Sequence, residues 1–200
     1  NKYPNSYKNK ILIFHDIDCI IAKKEDTDFN TISGIVKHNF GFRPDKIVKA
    51  LGGIVTMIAE DFEKTHGFLN LWVWGLEDNS MHDRCLKNKL KLDYNSFIEI
   101  KKSEKVIMFS EGKKSRKVNN DYSFTNYNKY KYSNRGFDTI ENLNYTFENI
   151  RDNAYFVNIN NFNTEGIYPD NVNEEILMTF KDPKIKEHNL KYKHIKGRMF

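Results

Sequence analysis

The chain has 200 residues, of which 39% are hydrophobic and 14% aromatic, enough to build the core of one globular domain. Its net charge is +5. Because 26 of its 32 cationic residues are lysine and 25 residues are asparagine, we attribute this charge first to AT-rich codon usage and only second to nucleic-acid binding. Two cysteines without CxxC spacing exclude a disulfide framework and a zinc ribbon, and no run approaches the ~20 apolar residues of a membrane span.

Alternating strand and helix signals fill the first part of the chain. Residues 10–21 are apolar almost throughout, which predicts a strand buried on both faces, as parallel α/β sheets use. A polar loop follows at 23–31. A short strand at 54–57 leads into a helix from Ala59, and Gly67 stands where a C-terminal glycine would end that helix.

A second helix is predicted after the tryptophan-rich stretch WVWGLEDNS. Asp78 or Asn79 is suited to cap its N-terminus. Three apolar residues are spaced for one buried face: Met81, Cys85 and Leu86. The remaining histidines of this half of the chain are expected at the surface or at helix ends: His38, His66 and His82.

Strands and loops dominate the predictions for the second half. Residues 105–109 predict a short strand, and the basic, tyrosine-containing residues 111–135 predict a long surface loop. The alternation in 142–162 predicts a hairpin joined near 151–153. One helix is expected in the tail from 173 to 200.

Asp16 and Asp18 end the first predicted strand, in the stretch ILIFHDIDCII. Carboxylates at i and i+2 on a strand point to the same side, and at the carboxyl end of a parallel strand that side opens onto the ligand crevice. Such a pair suits a hard divalent cation, which neutralises a diphosphate. The alternative is an ordinary turn, in which aspartate is common, and His15 beside it is expected to be a structural group.

Trp72 and Trp74 flank a chain reversal beside Glu77 and Asp78. Indole rings at a concave site offer flat apolar faces to a sugar ring, and a neighbouring carboxylate can take a proton from a hydroxyl. The alternative is that both tryptophans belong to the core and that the acids favour a helix N-terminus.

These pieces occur together and in order, and as a set the sequence resembles the catalytic half of the β-1,4-galactosyltransferases, glycosyltransferase family 7. The matching motifs are FHDID, FGF at 40–42, GGIVTMIAEDFEKTHGF and WVWGLED, with Arg84 at the position of the family's helix arginine and closing strands within 138–159. The resemblance covers roughly residues 10–160. It implies an α/β fold of GT-A type, a Rossmann-like mixed sheet flanked by helices, as a single catalytic domain over 1–200.

The resemblance also implies roles for individual residues. Asp18 would coordinate manganese, or magnesium, on the diphosphate of a UDP-sugar, and Asp16 would contact the nucleotide. Asp78 would be the general base that deprotonates the acceptor hydroxyl, with inversion at the anomeric carbon. The substrate-binding set is completed by Glu77, which would bind sugar hydroxyls, and by Trp74, Trp72 and Gly53.

Three departures from the family pattern bear on these roles. The family writes WGWGGED, whereas Val73 and Leu76 replace two glycines here, which is expected to crowd the approach to the sugar. The family's remaining metal ligands follow an MxxH pattern, matched here by MFSE, so Met108 and Glu111 are the predicted ligands, a carboxylate replacing imidazole. Only fifteen residues precede Asp16, so the N-terminal portion that grips uridine is expected to be short or missing.

The predicted function is transfer of galactose or an N-acetylhexosamine from a UDP-sugar to a hydroxyl of a glycan or glycoprotein. Two alternatives remain open. The DxD strand also resembles the first motif of haloacid-dehalogenase-type magnesium phosphatases, and an inactive transferase-like binding domain would carry the same motifs. No nucleic-acid partner is expected, since the cations are spread along the chain. The residue usage suggests a giant virus or a similar AT-rich organism. A viral source would place the protein in host cytoplasm or a virus factory, whereas family relatives are Golgi-lumenal.

Overall fold

The computed structural model describes residues 7–42, 49–100, 104–108, 114–152, 154–164, 169 and 171–177. The strands in chain order are β1 Ile11–His15, β2 Cys19–Ile21, β3 Ile35–Gly41, β4 Ile54–Ile58, β5 Lys91–Asp93, β6 Ile98–Glu99, β7 Val106–Met108, β8 Lys114–Val118, β9 Ile140–Arg151, β10 Ala154–Thr164 and β11 Asn173–Leu177. The α-helices are α1 Ala59–Thr65, α2 Glu77–Lys87 and α3 Asn120–Tyr130. Within these ranges, no helix has both the length and the apolar character needed to cross a bilayer.

A mixed sheet in the order β1-β4-β3-β5 forms the centre of the molecule. The β4 strand pairs antiparallel with both β1 and β3, whereas β5 and β6 both pair parallel with β3. Helices accompany the sheet, which confirms the predicted α/β class. The central strand β4 is buried along its whole length, as its apolar sequence IVTMI predicts.

The first predicted strand is two strands, and it is not buried on both faces. The β1 strand ends at His15 and alternates between exposed and half-buried residues, because it is an edge strand that pairs only with β4 among the described strands. A turn at 16–18 separates it from β2, which leaves this sheet and pairs with β7. The chain's apolar run therefore divides at the two aspartates.

Two apolar clusters lie against opposite faces of the sheet. Alternation along β4 points Val55 and Met57 to the α2 side and Ile54 to the other side. The α2 cluster consists of Val36, Leu51, Val55, Met57, Met81, Cys85 and Leu90. The second cluster consists of Cys19, Phe40, Ile54, Ile98 and Val106. Both cysteines are free thiols inside these clusters.

The two predicted helices of the first half are confirmed, with corrections at their ends. Helix α1 ends at Thr65 with His66 as its C-cap, so Gly67 follows the cap as expected, and His66 also adopts the left-handed conformation (φ 60°). In α2, Met81 and Cys85 are buried as predicted, but Leu86 is 51% exposed. Successive residues of a helix point about 100° apart, so Leu86 cannot share the face of Cys85.

The predicted surface loop at 111–135 is wrong for its described part, which contains β8 and α3. Asn119 caps α3, its side-chain oxygen accepting from the amide of Tyr122 at 2.9 Å. On the buried side, the Tyr127 hydroxyl donates to the Asp83 carboxylate at 2.6 Å, so α3 packs on α2. The first residues of the tail form a strand, β11, which pairs with β8. The helix expected within 173–200 stays a prediction, because residues beyond 177 lie outside the described ranges.

The hairpin of β9 and β10 is confirmed and is longer than predicted. One of its faces is apolar, since the register sets Val157 opposite Phe147 and Ile159 opposite Tyr145. These side chains are 36–66% exposed, and neither strand pairs with any other described strand. The base of the hairpin is fixed by Asn70, whose amide donates to the hydroxyl of Thr164 at 3.2 Å.

Candidate active site

The two aspartates lie in a short turn that we call the acid turn, residues 16–18. The amide of Asp16 donates to the carbonyl of Gly53 at 3.0 Å, and the amide of Cys19 donates back to the carbonyl of Asp16 at 3.4 Å. His15 Nδ1 lies 2.8 Å from the same carbonyl and therefore donates to it, as expected of a structural histidine. Backbone hydrogen bonds thus fix the turn, and Asp18 stays half-buried at its end.

Residues 51–53, which we call the glycine segment, lie between the acid turn and α2. The amide of Leu51 donates to the backbone carbonyl of Asp78 at 3.1 Å. The carboxylate of Asp78 lies against Gly52, where an added Cβ would meet Oδ2 at 2.3 Å. Gly53 has a φ of +86° and accepts from Asp16. The segment therefore joins two predicted site residues, Asp16 and Asp78.

The predicted caps of α2 are wrong, because the helix begins earlier, at Glu77, and Leu76 precedes it with no side-chain cap. Glu77 Oε2 accepts from the amide of Gly75 at 2.9 Å, and Asn79 reaches the carbonyl of Lys49 at 2.8 Å. Asp78 is left in the first turn of the helix, where the positive end of the helix dipole favours a carboxylate.

Residues 72–76, which precede α2 and which we call the tryptophan loop, present both indoles toward solvent. Trp72 is 43% and Trp74 41% exposed, so neither is a core residue, whereas Val73 between them is 5% exposed. Val73 is therefore directed into the protein and does not crowd the outer side of the loop. Leu76 has a φ of 70°, a conformation that glycine adopts more readily, which explains a glycine at this position in the family pattern.

The tryptophan loop is also tied to the region that follows β7. The amide of Trp74 donates to the carbonyl of Lys117 at 3.0 Å, and Ser123 Oγ lies 3.5 Å from the carbonyl of Trp74. The β8 strand and the start of α3 thus hold the back of the loop that carries the indoles.

The predicted metal ligands are partly brought together. In the β2–β7 pair Met108 is the register partner of Cys19, so the backbone of Met108 lies beside the end of the acid turn that carries Asp18. Glu111 lies outside the described residues. Among the described residues no three His, Cys, Asp or Glu side chains converge on one point. Asp18, Met108 and Glu111 therefore stay predicted ligands, with the backbone pairing of β2 and β7 beside Asp18 as the structural feature that bears on them.

Two of the histidines expected at the surface or at helix ends are buried in the protein instead. His38 is 1% exposed and His82, one turn after Asp78 on α2, is 6% exposed. His38 Nε2 lies 2.7 Å from the carbonyl of Gly52, and burial lowers the pKa of His38 to about 4. Sequence patterns did not predict this contact, because His38 has a polar residue on each side and does not look like a buried position. The one sequence feature that could have indicated it is its place two residues before the FGF motif.

Comparison with known proteins shows that part of the chain is similar to a sequence family. Residues 34–111 match the family 7 glycosyltransferase model described as "N-terminal domain of galactosyltransferase". Xylosylprotein 4-β-galactosyltransferase of Caenorhabditis elegans is 31% identical over 86 residues, which are 40% of this chain and 29% of the worm protein. The chain thus spans less than a third of the length of this relative.

A solved structure shares the fold. The catalytic domain of Drosophila β-1,4-galactosyltransferase 7, in complex with xylobiose, superposes with a TM-score of 0.50 at 16% identity, over 83% of this chain and 71% of the fly chain. A mutant of the same enzyme in complex with manganese, UDP-Gal and xylobiose gives a TM-score of 0.46 at 14% identity. The resemblance inferred from the motifs is thereby confirmed over residues 34–111, the part of the chain that is similar to glycosyltransferase family 7.

Proposed function

We propose that the protein is a metal-dependent inverting glycosyltransferase that moves a hexose from a UDP-sugar to a hydroxyl of a glycan or glycoprotein. One observation carries the proposal. The glycine segment links the acid turn, through the bond from Asp16 to Gly53, with the carboxylate of Asp78, which lies against Gly52. A diphosphate site and a proton acceptor on two sides of one short segment are what glycosyl transfer requires.

Asp78 is the proposed general base. It takes the proton of the acceptor hydroxyl as that oxygen bonds to the anomeric carbon, while the bond from the same carbon to the UDP oxygen breaks on the opposite face. The configuration at the anomeric carbon therefore inverts. Its place in the first turn of α2 favours the ionised carboxylate, which is the form that can accept a proton.

Asp18, Met108 and Glu111 are the proposed ligands of a manganese or magnesium ion. When bound, the ion neutralises the charge that develops on the departing diphosphate. Asp18 suits this role because it is half-buried at the end of the acid turn and β7 runs beside it. Its carboxylate supplies the oxygen ligand that hard cations prefer.

Galactose is the first candidate donor sugar, with an N-acetylhexosamine second. The similarity to an enzyme named for galactose transfer to xylosylprotein supports galactose, and it favours a xylose-bearing acceptor. The exposed rings of Trp72 and Trp74 supply stacking faces for sugar rings, and Glu77 supplies a carboxylate beside them.

The test is a transfer assay with a panel of UDP-sugars, an aryl β-xyloside acceptor and manganese. UDP-galactose is expected to give the most product, and EDTA to abolish turnover. Asp78→Asn is expected to lose transfer by at least a hundredfold while UDP binding, measured by calorimetry with manganese, stays within twofold. Asp93→Asn on β5 is the matched control and is expected to stay active. Turnover retained in Asp78→Asn, or no transfer from any UDP-sugar by the wild type, would contradict the proposal.

A further inference from the structure

His38 lies outside all of the motifs, yet it contacts the glycine segment. It stands in β3, an interior strand of the mixed sheet, and is 1% exposed, with Nε2 2.7 Å from the carbonyl of Gly52. A carbonyl oxygen only accepts, so Nε2 carries the hydrogen and donates it. The ring is held in place by Phe97 and Tyr94, whose ring centroids lie 4.8 and 5.7 Å away.

Each residue of the glycine segment is bonded to a different element. Leu51 donates to the carbonyl of Asp78 on α2, and Gly53 accepts from Asp16 in the acid turn. Gly52, between them, accepts from His38 on β3 and touches the carboxylate of Asp78. Two adjacent glycines leave the backbone free to rotate, so the orientation of this peptide depends on the bonds made to it.

We propose that His38 is a positioning residue, which fixes the peptide of Gly52 and thereby sets where the carboxylate of Asp78 lies relative to the acid turn. This inference rests on the proposed function, in which Asp78 is the base. It concerns a residue that touches neither donor nor acceptor and acts through Gly52.

The physical reason is the cost of leaving the Gly52 carbonyl without its donor. A buried acceptor that loses its partner keeps the full cost of its desolvation, so the peptide would turn toward another donor. Such a rotation moves Gly52 away from, or into, Oδ2 of Asp78. A displacement of about 1 Å at a catalytic group can lower the rate about a hundredfold. Burial also lowers the pKa of His38 to about 4, so the ring is a neutral, constant donor at neutral pH.

The experiment compares His38→Leu, which replaces the imidazole by an apolar side chain of similar size, with His38→Gln, whose amide nitrogen can replace Nε2. Thr56→Val is the matched control, because it deletes another buried hydrogen bond of the same sheet, from Thr56 to Asn39 at 2.7 Å, without touching the glycine segment. The measurements are kcat and KM for donor and acceptor, UDP affinity, Tm, and amide hydrogen exchange of Leu51 and Asp16.

We expect His38→Leu to lower kcat ten- to a hundredfold with UDP affinity within twofold, and to speed exchange at Leu51 and Asp16 at least tenfold. His38→Gln is expected to recover most of both losses, and Thr56→Val to match the Tm of His38→Leu at normal kcat. The inference is overturned if exchange at Leu51 is unchanged in His38→Leu, if the leucine and glutamine variants behave alike, or if Thr56→Val loses as much kcat. A wild type that shows no transfer refutes the proposed function, and the exchange measurement then decides the positioning role by itself.

Discussion

Replacing Arg84 by methionine is expected to destabilise the protein strongly. The Arg84 side chain is 1% exposed, and its guanidinium donates to four backbone carbonyls, those of Gly67 (2.6 Å), Lys131 (3.0 Å), Tyr130 (3.2 Å) and Arg135. Burial lowers its pKa to about 10, so the group remains charged at pH 7. One side chain on α2 thereby holds the chain after α1 and the chain after α3.

The magnitude follows from these contacts. Each hydrogen bond to a charged group contributes about 1.5–3 kcal/mol, and the cost of burying the guanidinium offsets part of the sum, so breaking such a buried network costs about 3–5 kcal/mol. For a chain of this size that loss corresponds to a Tm lower by roughly 6–20 °C.

Urea unfolding monitored by circular dichroism measures this loss, and Lys87→Met is the control. Lys87 is one turn further along α2, is exposed, and donates a single bond to the carbonyl of Tyr132 at 2.8 Å. Its replacement is expected to cost less than about 1 kcal/mol. If Arg84→Met loses less than about 1 kcal/mol of unfolding free energy, or if the two variants lose the same amount, Arg84 is not the centre of a stabilising hydrogen-bond network.

Three further predictions concern Gly52, acid stability and the thiols. Gly52→Ala is expected to lower kcat for transfer at least tenfold, because its Cβ would lie 2.3 Å from Oδ2 of Asp78, and a normal kcat would contradict that packing. The free energy of unfolding is expected to fall by about 3 kcal/mol as pH drops from 6.5 to about 4, because the unfolded chain protonates His38 while the folded chain keeps it neutral. Urea unfolding of His38→Gln at the same pH values should lack this loss of stability. Burial raises the pKa of Cys85 to about 12, so a maleimide should leave Cys85 unmodified until urea unfolds the protein, as peptide mass spectrometry would detect.

The candidate site could be assembled from the sequence because its residues carry chemistry at fixed spacings. Asp16 and Asp78 stand 62 positions apart in the sequence, and only the ordered motifs between them predicted that they lie near each other, as their contacts with residues 51–53 show. The glycine pair was visible too, but its contact with Asp78 was not, since no pattern reports how closely a side chain approaches a backbone.

What sequence patterns missed depends on tertiary contacts. Helix α3 is rich in asparagine and tyrosine, which are poor helix formers, and it is stabilised by the Asn119 cap and by the bond from Tyr127 to Asp83. The asparagine before a run without glycine or proline was the signal that could have found it. The burial of His38 was out of reach, because a lone histidine in a strand does not reveal what packs on it.

The exposed face of the β9–β10 hairpin has a consequence for how the protein behaves in solution. Among the described residues, Tyr145, Phe147, Val157 and Ile159 present aromatic and aliphatic surface along two strands whose outer edges are also unpaired. Ammonium sulfate strengthens apolar association and at the same time screens the repulsion between molecules of net charge +5. Solubility is therefore expected to fall steeply with added sulfate, and a charged residue in place of Phe147 should delay precipitation without altering helix α2, which carries Asp78.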